Sequence, residues 1–302
     1  MSVLRPIAGK VKQKLFEKLR NIIVRINGHY KKVEDINISP VFVLGSNRSG
    51  TSLVSSILGQ HPQLEGVFGP STEPSLRGKD DKHIMAYCTS HHVWNSMNPR
   101  GNWHQKDEGV LWGHPKHISW YYRDKPVNDR EALFLANSLK IQTKTNKIPL
   151  VNSHLNMFKV GLITEIFPSA KFILIIRDCQ DHIRSCSHKW TKQKIDIEFP
   201  KIGLHWLTLN TACIYDLKKY APKNFVILDY ASLFQDQKKT NNYFNDKCEQ
   251  IGLSNFEYNL DIISTKHRYL GEKNITPFQF EFFFGGIDSL LSFEKTITND
   301  LP

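Results

Sequence analysis

The chain has 302 residues, of which 40% are hydrophobic and 11% aromatic, so it can bury the core of one large domain. This composition excludes a chain that is disordered throughout. The 40 Lys and Arg residues outnumber the 29 Asp and Glu residues and give a formal charge of +11. That excess favours polyanionic partners such as nucleotides, acidic glycans, nucleic acids or anionic membranes, without choosing among them.

Five cysteines are scattered along the chain without a CxxC pair: Cys88, Cys179, Cys186, Cys213 and Cys248. This spacing indicates neither a zinc site nor a disulfide framework, and we interpret the thiols as reduced. No apolar run approaches the roughly 20 residues that span a bilayer, and the N-terminus lacks the apolar core of a signal peptide. The expected location is therefore cytoplasmic.

Residues 1–35 are predicted to form an N-terminal element that precedes one domain at 36–302. From Lys10 to Ile26, apolar residues recur at helical spacing among cations, which is typical of a basic amphipathic helix. Such a helix can lie peripherally on an anionic membrane, or it can dock on its own domain or on a second subunit of a homo-oligomer. The sequence leaves these alternatives open.

Two strand-then-helix units dominate the domain. A short apolar strand at Val41–Leu44 leads through a Gly/Ser turn to a helical segment at Leu53–Leu58, and a second strand at Lys171–Ile176 precedes a helix from about Asp181 to Trp190. A third buried strand is predicted at 225–228, after a helical stretch at 203–220 that Pro222 stops. This alternation predicts an α/β fold with a doubly wound parallel sheet flanked by helices.

Residues 80–125 break the alternating pattern. This stretch holds four of the six Trp residues and six of the 13 His residues. We interpret it as an inserted lid or acceptor-binding segment whose aromatic rings either stack against sugars or form the lid's own core.

A Gly/Ser-rich turn lies between the first strand and the first helix. It reads Gly45-Ser46-Asn47-Arg48-Ser49-Gly50-Thr51-Ser52, and its amides together with the helix N-terminus can surround a phosphate. We call residues 45–52 the phosphate loop. Thr51 occupies the position of the Lys in the Walker pattern, which weakens an ATPase interpretation, whereas the Arg48 guanidinium can stabilise a departing phosphate.

Two motifs together resemble those of the sulfotransferases that use 3'-phosphoadenosine 5'-phosphosulfate (PAPS). The segment VFVLGSNRSGTSLVSSIL, followed by His61-Pro62, is similar to the family's 5'-phosphosulfate motif. The segment FPSAKFILIIRDCQDHIRS is similar to its 3'-phosphate motif, in which a Ser follows an Arg by eight residues, as Ser185 follows Arg177. The motif style is closest to carbohydrate, tyrosylprotein and bacterial members, and the resemblance covers roughly residues 40–270.

The resemblance implies a P-loop NTPase-like sulfotransferase fold and assigns the donor site. Residues implied to bind PAPS are Ser46, Asn47, Arg48, Ser49, Gly50, Thr51, Ser52, Arg177 and Ser185. Arg177 alone could instead form a surface ion pair with Asp178. Two departures from the family pattern are Cys179, where Pro is usual, and VILDYASL at 226–233, where Ala231 and Ser232 replace two acids and Tyr230 is expected to pack.

Two residues compete for the role of general base. Glu73 follows the first helix, as does the base of carbohydrate and tyrosine sulfotransferases, and His154 resembles the catalytic His of the cytosolic small-molecule enzymes. The Lys just upstream of that His is replaced by Asn152, which leaves Lys159 as a substitute cation. His114 and His117 are weak evidence for a metal, and we expect none.

The sequence therefore predicts a PAPS-dependent sulfotransferase that acts on a hydroxyl or amine, with a carbohydrate or glycolipid as the acceptor and no nucleic-acid partner. A P-loop kinase is the rival enzyme, which the missing Walker Lys argues against. A nucleotide- or polyanion-binding protein without catalysis is the rival from another class. The catalytic residues are predicted to be Arg48 and either Glu73 or His154.

Overall fold

The computed structural model describes residues 29–68, 124–125, 128–143, 146–152, 154–192, 199–261 and 263. Within these ranges the strands are β1 (Val41–Leu44), β2 (Leu64–Phe68), β3 (Ile148–Asn152), β4 (Lys171–Ile176) and β5 (Phe225–Asp229). The helices are α1 (Thr51–Leu58), α2 (Asp129–Gln142), α3 (Val160–Ile166), α4 (Cys179–Lys192), α5 (Phe199–Tyr220) and α6 (Gln237–Gln250). Short 3-10 helices lie at Val33–Asp35, His154–Phe158 and Ala231–Phe234.

The five strands form one parallel sheet in the order β2-β3-β1-β4-β5. Val41 pairs with Leu150 on one side and with Lys171 on the other, so β1 lies in the middle of the sheet. Because all strands are parallel, the segments that follow β1, β3 and β4 leave the sheet at the same edge. The predicted doubly wound α/β fold is confirmed.

The two faces of the sheet are covered by separate cores because successive strand residues point to opposite faces. Phe42 and Leu44 join the core that contains residues of α2, α3 and α5. Val41 and Val43 join the other core, which contains residues of α1 and α6. Strands buried on both faces must be apolar throughout, which explains the uninterrupted runs at β1 and β4.

The described helices differ from membrane spans. None of them, within the described ranges, combines the length and the apolar character that crossing a bilayer requires. The four cysteines in these ranges, Cys179, Cys186, Cys213 and Cys248, are buried, and none of them forms a disulfide there.

Candidate functional site

The phosphate loop leaves β1 and turns sharply before α1. Two of its residues have left-handed backbone angles, with φ of 68° at Arg48 and 100° at Gly50. The amide and the hydroxyl of Ser49 both donate to the Ser46 carbonyl, at 3.1 and 2.7 Å, and close the turn. The first amides of a helix have no partner within that helix, so those of α1 add to the donors that an anion can use here.

Arg177 follows β4, the strand next to β1, and is only 4% exposed. Its Nη1 donates to the Arg48 carbonyl at 3.1 Å, and its own carbonyl accepts a hydrogen bond from Nε1 of Trp206 at 3.0 Å. The Tyr230 ring lies under the guanidinium, with 4.5 Å from Cζ to the ring centroid. Contacts from three elements thus fix Arg177 against the phosphate loop.

Asp178 caps α4 instead of pairing with Arg177. Its Oδ1 accepts a hydrogen bond from the Asp181 amide at 2.9 Å, which places Asp178 at the N-cap and Cys179 at the first helical position. Proline is favoured at that position because its missing N–H is not needed there. Cys179 therefore stands at the helix entry that proline favours, and its side chain is buried in the core.

Ser185 brings the two predicted halves of the site together. It lies about two turns into α4 and is fully buried, and its Oγ accepts a long hydrogen bond of 3.3 Å from Nε of Arg48. The Arg48 side chain is otherwise exposed. The two motifs that are 129 positions apart in sequence, as measured from Arg48 to Arg177, therefore meet in one cluster.

The cluster brings two guanidinium groups together. Among the described residues, no carboxylate lies within ion-pair distance of Arg48 or Arg177, and Nε of Arg177 is buried without a hydrogen-bond partner. Burial raises the pKa of Tyr230 and the two guanidiniums oppose that rise, so the phenol stays neutral. A buried cation with an unused N–H, beside the turn that leads to the first amides of α1, fits an anionic group such as a phosphate.

His154 begins the 3-10 helix that follows β3. Strand β3 neighbours β1, and this short helix lies against β1, so His154 leaves the sheet at the same edge as the phosphate loop. Asn152 is the last residue of β3, and Lys159 is a buried residue at the start of α3. The catalytic role of His154 stays a prediction.

Several predicted features lie outside the described residues. They are Glu73, the N-terminal helix at 10–26, His114 and His117, and the predicted insertion up to residue 123. Within the described ranges, no group of three or more His, Cys, Asp or Glu residues is arranged to hold a metal ion.

The structure adds residues that the motifs did not single out. His182 and Cys186 share one face of α4 with Ser185, because positions three and four apart are neighbours on a helix. Ser46 Oγ lies 3.3 Å from His182 Nδ1, and Cys186 Sγ lies 3.6 Å from the Asn47 carbonyl. The signal for these contacts was present in the helical spacing from Ser185, but spacing alone does not say which loop faces that side.

Known proteins resemble this chain in sequence and in fold. The sulfotransferase family model matches residues 40–253, a span that includes the phosphate loop, Arg177 and Ser185. The fold is similar to that of a sulfotransferase from Alicyclobacillus acidocaldarius (TM-score 0.51, 14% identity, covering 85% of this chain and 97% of that one). It is also similar to that of a sulfotransferase from Mycobacterium tuberculosis (TM-score 0.50, 16% identity, covering 87% and 79%). No curated protein sequence matches significantly. Since the family model spans most of the chain, this protein belongs to the sulfotransferase family.

Proposed function

We propose that this protein transfers a sulfuryl group from PAPS to a hydroxyl or amine of an acceptor. The observation that supports the proposal most strongly is the contact of the phosphate loop with Arg177 and Ser185, two residues that the resemblance assigns to the 3'-phosphate. A donor with phosphate groups at both its 5' and 3' positions needs two anion sites on one surface. A nucleoside triphosphate has no 3'-phosphate to use the second one.

The roles of the donor-site residues follow from their positions. Residues 45–52 would hold the 5'-phosphosulfate, and Arg177 with Ser185 would hold the 3'-phosphate. The acceptor oxygen or nitrogen forms a bond to sulfur while the bond from sulfur to the bridging phosphate oxygen breaks, which releases adenosine 3',5'-bisphosphate. Arg48, exposed on the loop, would stabilise the charge that develops on this leaving oxygen.

The acceptor must lose a proton during transfer, and a base has to be positioned to take it. His154 lies at the same sheet edge as the loop, and Glu73 is the base that the resemblance to carbohydrate sulfotransferases favours. Single-turnover transfer in His154→Ala and Glu73→Ala variants distinguishes the two, because only loss of the base removes the rise of the rate with pH on the acidic limb of the pH–rate profile.

A carbohydrate or glycolipid is the acceptor class that we propose. The Trp-rich segment at 80–125 offers rings that stack against sugar faces, and the charge of +11 suits acidic groups on a glycan. Transfer of labelled sulfate from PAPS to neutral and acidic glycans, glycolipids and small phenols tests this class. Turnover of phenols alone would contradict it.

The donor site is tested by thermal shift with adenosine 3',5'-bisphosphate, AMP and ATP, because a ligand that binds only the folded state raises its melting temperature. We expect the bisphosphate to stabilise the wild type most and Arg177→Ala to lose that preference. A buried charge-assisted contact contributes about 2–3 kcal/mol, so bisphosphate affinity should fall about 30- to 150-fold.

Arg184→Ala is the matched control, because Arg184 lies on the same helix but pairs with Asp181 at 3.6 Å. It should keep the wild-type preference for the bisphosphate. An equal response to ATP would favour a kinase, and no response to the bisphosphate would refute the donor proposal. Selective binding of the bisphosphate without turnover on any acceptor would indicate a nucleotide-binding protein without catalysis.

A further inference from the structure

A fully buried imidazole lies directly beneath the phosphate loop. His182 on α4 is 0% exposed, and its two ring nitrogens face two different groups. Nδ1 lies 3.3 Å from Ser46 Oγ, on the loop, and Nε2 lies 3.4 Å from Cys186 Sγ, on the same helix. The Cys186 thiol in turn donates to the Asn47 carbonyl at 3.6 Å. These contacts run from Ser46 through His182 and Cys186 to Asn47, which is the next residue of the loop.

One face of α4 holds the loop in this way. His182 and Cys186 contact Ser46 and Asn47, and Ser185 contacts the Arg48 side chain. The backbone at Arg48 needs such support, because a φ of 68° is unfavourable for a residue with a side chain. The unstrained alternatives would turn the loop amides in other directions.

We propose that His182 is a positioning residue for the donor site, which fixes Ser46 and Asn47 so that the loop amides face the 5' end of the donor. The inference rests on the proposed function and assigns His182 to the 5' subsite specifically. His182 is buried below the loop and is not itself a catalytic residue.

The hydrogen bonds that link Ser46, His182, Cys186 and Asn47 can run in only one direction. Burial, assisted by Arg177 and Arg48, lowers the pKa of His182 to about 3, so the imidazole is neutral and has one N–H. Burial also raises the pKa of Cys186 to about 12, which keeps its S–H. A carbonyl can only accept, so the thiol donates to Asn47, Nε2–H donates to the sulfur, and Nδ1 accepts from the Ser46 hydroxyl.

This order has a consequence for the donor site. The Ser46 proton is committed to His182, and Ser46 is only 1% exposed. The Ser46 hydroxyl therefore does not donate to an anion, which leaves loop amides other than that of Ser49, the Thr51 and Ser52 hydroxyls and Arg48. Their direction depends on the anchoring contacts below them.

The test compares His182→Leu with His182→Asn by binding of adenosine 3',5'-bisphosphate, AMP and adenosine 3'-monophosphate. Leu fills a similar volume without hydrogen bonds, whereas the Asn amide can take the place of Nδ1. We expect Leu to weaken both 5'-phosphate ligands about tenfold or more and adenosine 3'-monophosphate by less than about twofold. Asn should restore most of the loss.

A second variant addresses the same contact from the loop. Ser46→Ala should give the same selective loss. The double variant Ser46→Ala/His182→Leu should bind no more weakly than His182→Leu alone, because each change removes the same hydrogen bond between Ser46 and His182. Should His182→Leu fail to fold, Ser46→Ala with His182→Asn carries the comparison. Phe244→Leu, which trims the core beneath α6, is the control for lost stability and should change no ligand preference.

Distinct results overturn the two proposals. Equal weakening of all three nucleotides by His182→Leu, additive losses in the double variant, or unchanged binding would refute the positioning role while leaving the donor site intact. Failure of the wild-type protein to prefer adenosine 3',5'-bisphosphate over AMP would refute the proposed function itself, and the positioning role with it.

Discussion

The two strand-to-helix junctions at the middle of the sheet differ in length and in strain. Six residues, 45–50, connect β1 to α1, and two of them have positive φ angles. Only Arg177 and Asp178 connect β4 to α4, and the helix begins at a regular N-cap. We call residues 45–50 the wide junction and residues 177–178 the tight junction. The wide junction offers backbone amides, whereas the tight junction offers charged side chains at the start of a capped helix.

The difference suggests how the site is divided between the two junctions. A strained loop cannot hold its own shape, because each unfavourable backbone angle costs of order 1–3 kcal/mol. Contacts from the tight junction offset that cost: Arg177 donates to the Arg48 carbonyl, and α4 packs its polar face below the loop. Arg177 and Ser185, which the resemblance assigns to the 3'-phosphate, therefore also support the phosphate loop.

Gly50→Ala should break the wide junction and have the largest effect. A Cβ at residue 50 would overlap Cε2 of Tyr230, and the φ of 100° disfavours any side chain. The ring cannot move freely because it lies under Arg177. We expect the free energy of unfolding to fall by about 2–4 kcal/mol and binding of adenosine 3',5'-bisphosphate to be lost, as measured by urea unfolding and calorimetry.

Gly252→Ala is the matched control for backbone strain. Gly252 also has a positive φ, of 71°, but its Cβ would meet only the flexible end of Lys171, at 3.2 Å. It should cost about 1 kcal/mol and leave nucleotide binding unchanged. Equal costs at the two glycines would mean that the Tyr230 contact does not matter.

Lowering the pH should destabilise the folded state through His182, which lies between the two junctions. The folded-state pKa of His182 is about 3, whereas that of an unfolded His is 6.5, so the unfolded chain takes up a proton that the folded chain does not. Stability from this group is complete above pH 6.5 and is lost as the pH falls toward 3. Between pH 6.5 and 4.5 the loss should be about 2–3 kcal/mol.

His182→Asn separates this effect from the titration of other groups. Asn does not titrate, so the stability of this variant should fall less steeply with acid, as followed by urea unfolding at several pH values. Parallel curves for the wild type and the variant would show that His182 is protonated in the folded state at an ordinary pKa.

The central strands and the site motifs were predictable from sequence for one physical reason. Strands β1 and β4 are buried on both faces and therefore read as continuous apolar runs, and the phosphate loop and Arg177 directly follow them. The predicted strand at 41–44, the strand at 171–176 and the fold class are confirmed. The helix predicted from 181 begins earlier, at Cys179, because Asp178 caps it.

Other elements escaped prediction because their sequences carry weak signals. Strand β3 contains Pro149, which normally argues against a central strand, and β2 contains Gly66 within five residues. Helix α6 buries only Thr240, Phe244 and Cys248 along 14 mostly polar residues. The contacts of His182 and Tyr230 depend on how α4 and β5 pack against the loop, which no local pattern contains.

Asp178→Ala tests the tight junction and should have the smallest effect. Removing the cap leaves the Asp181 amide without its acceptor, and the loss of an N-cap costs about 1 kcal/mol. If α4 supports the loop, fraying its first turn should also lower affinity for adenosine 3',5'-bisphosphate, by about two- to threefold. Asp178→Asn keeps the cap and should retain both properties.

Asp236→Ala is the control for Asp178→Ala, because it removes an N-cap from a helix that does not contact the phosphate loop in any of the hydrogen bonds described above. Asp236 caps α6 with the same geometry, since its Oδ1 accepts from the Lys239 amide at 2.9 Å. We expect it to lower the melting temperature without changing nucleotide affinity. If both cap variants left affinity unchanged, the first turn of α4 would be irrelevant to the loop, and its support would come from Arg177 and from His182, Ser185 and Cys186 further along the helix.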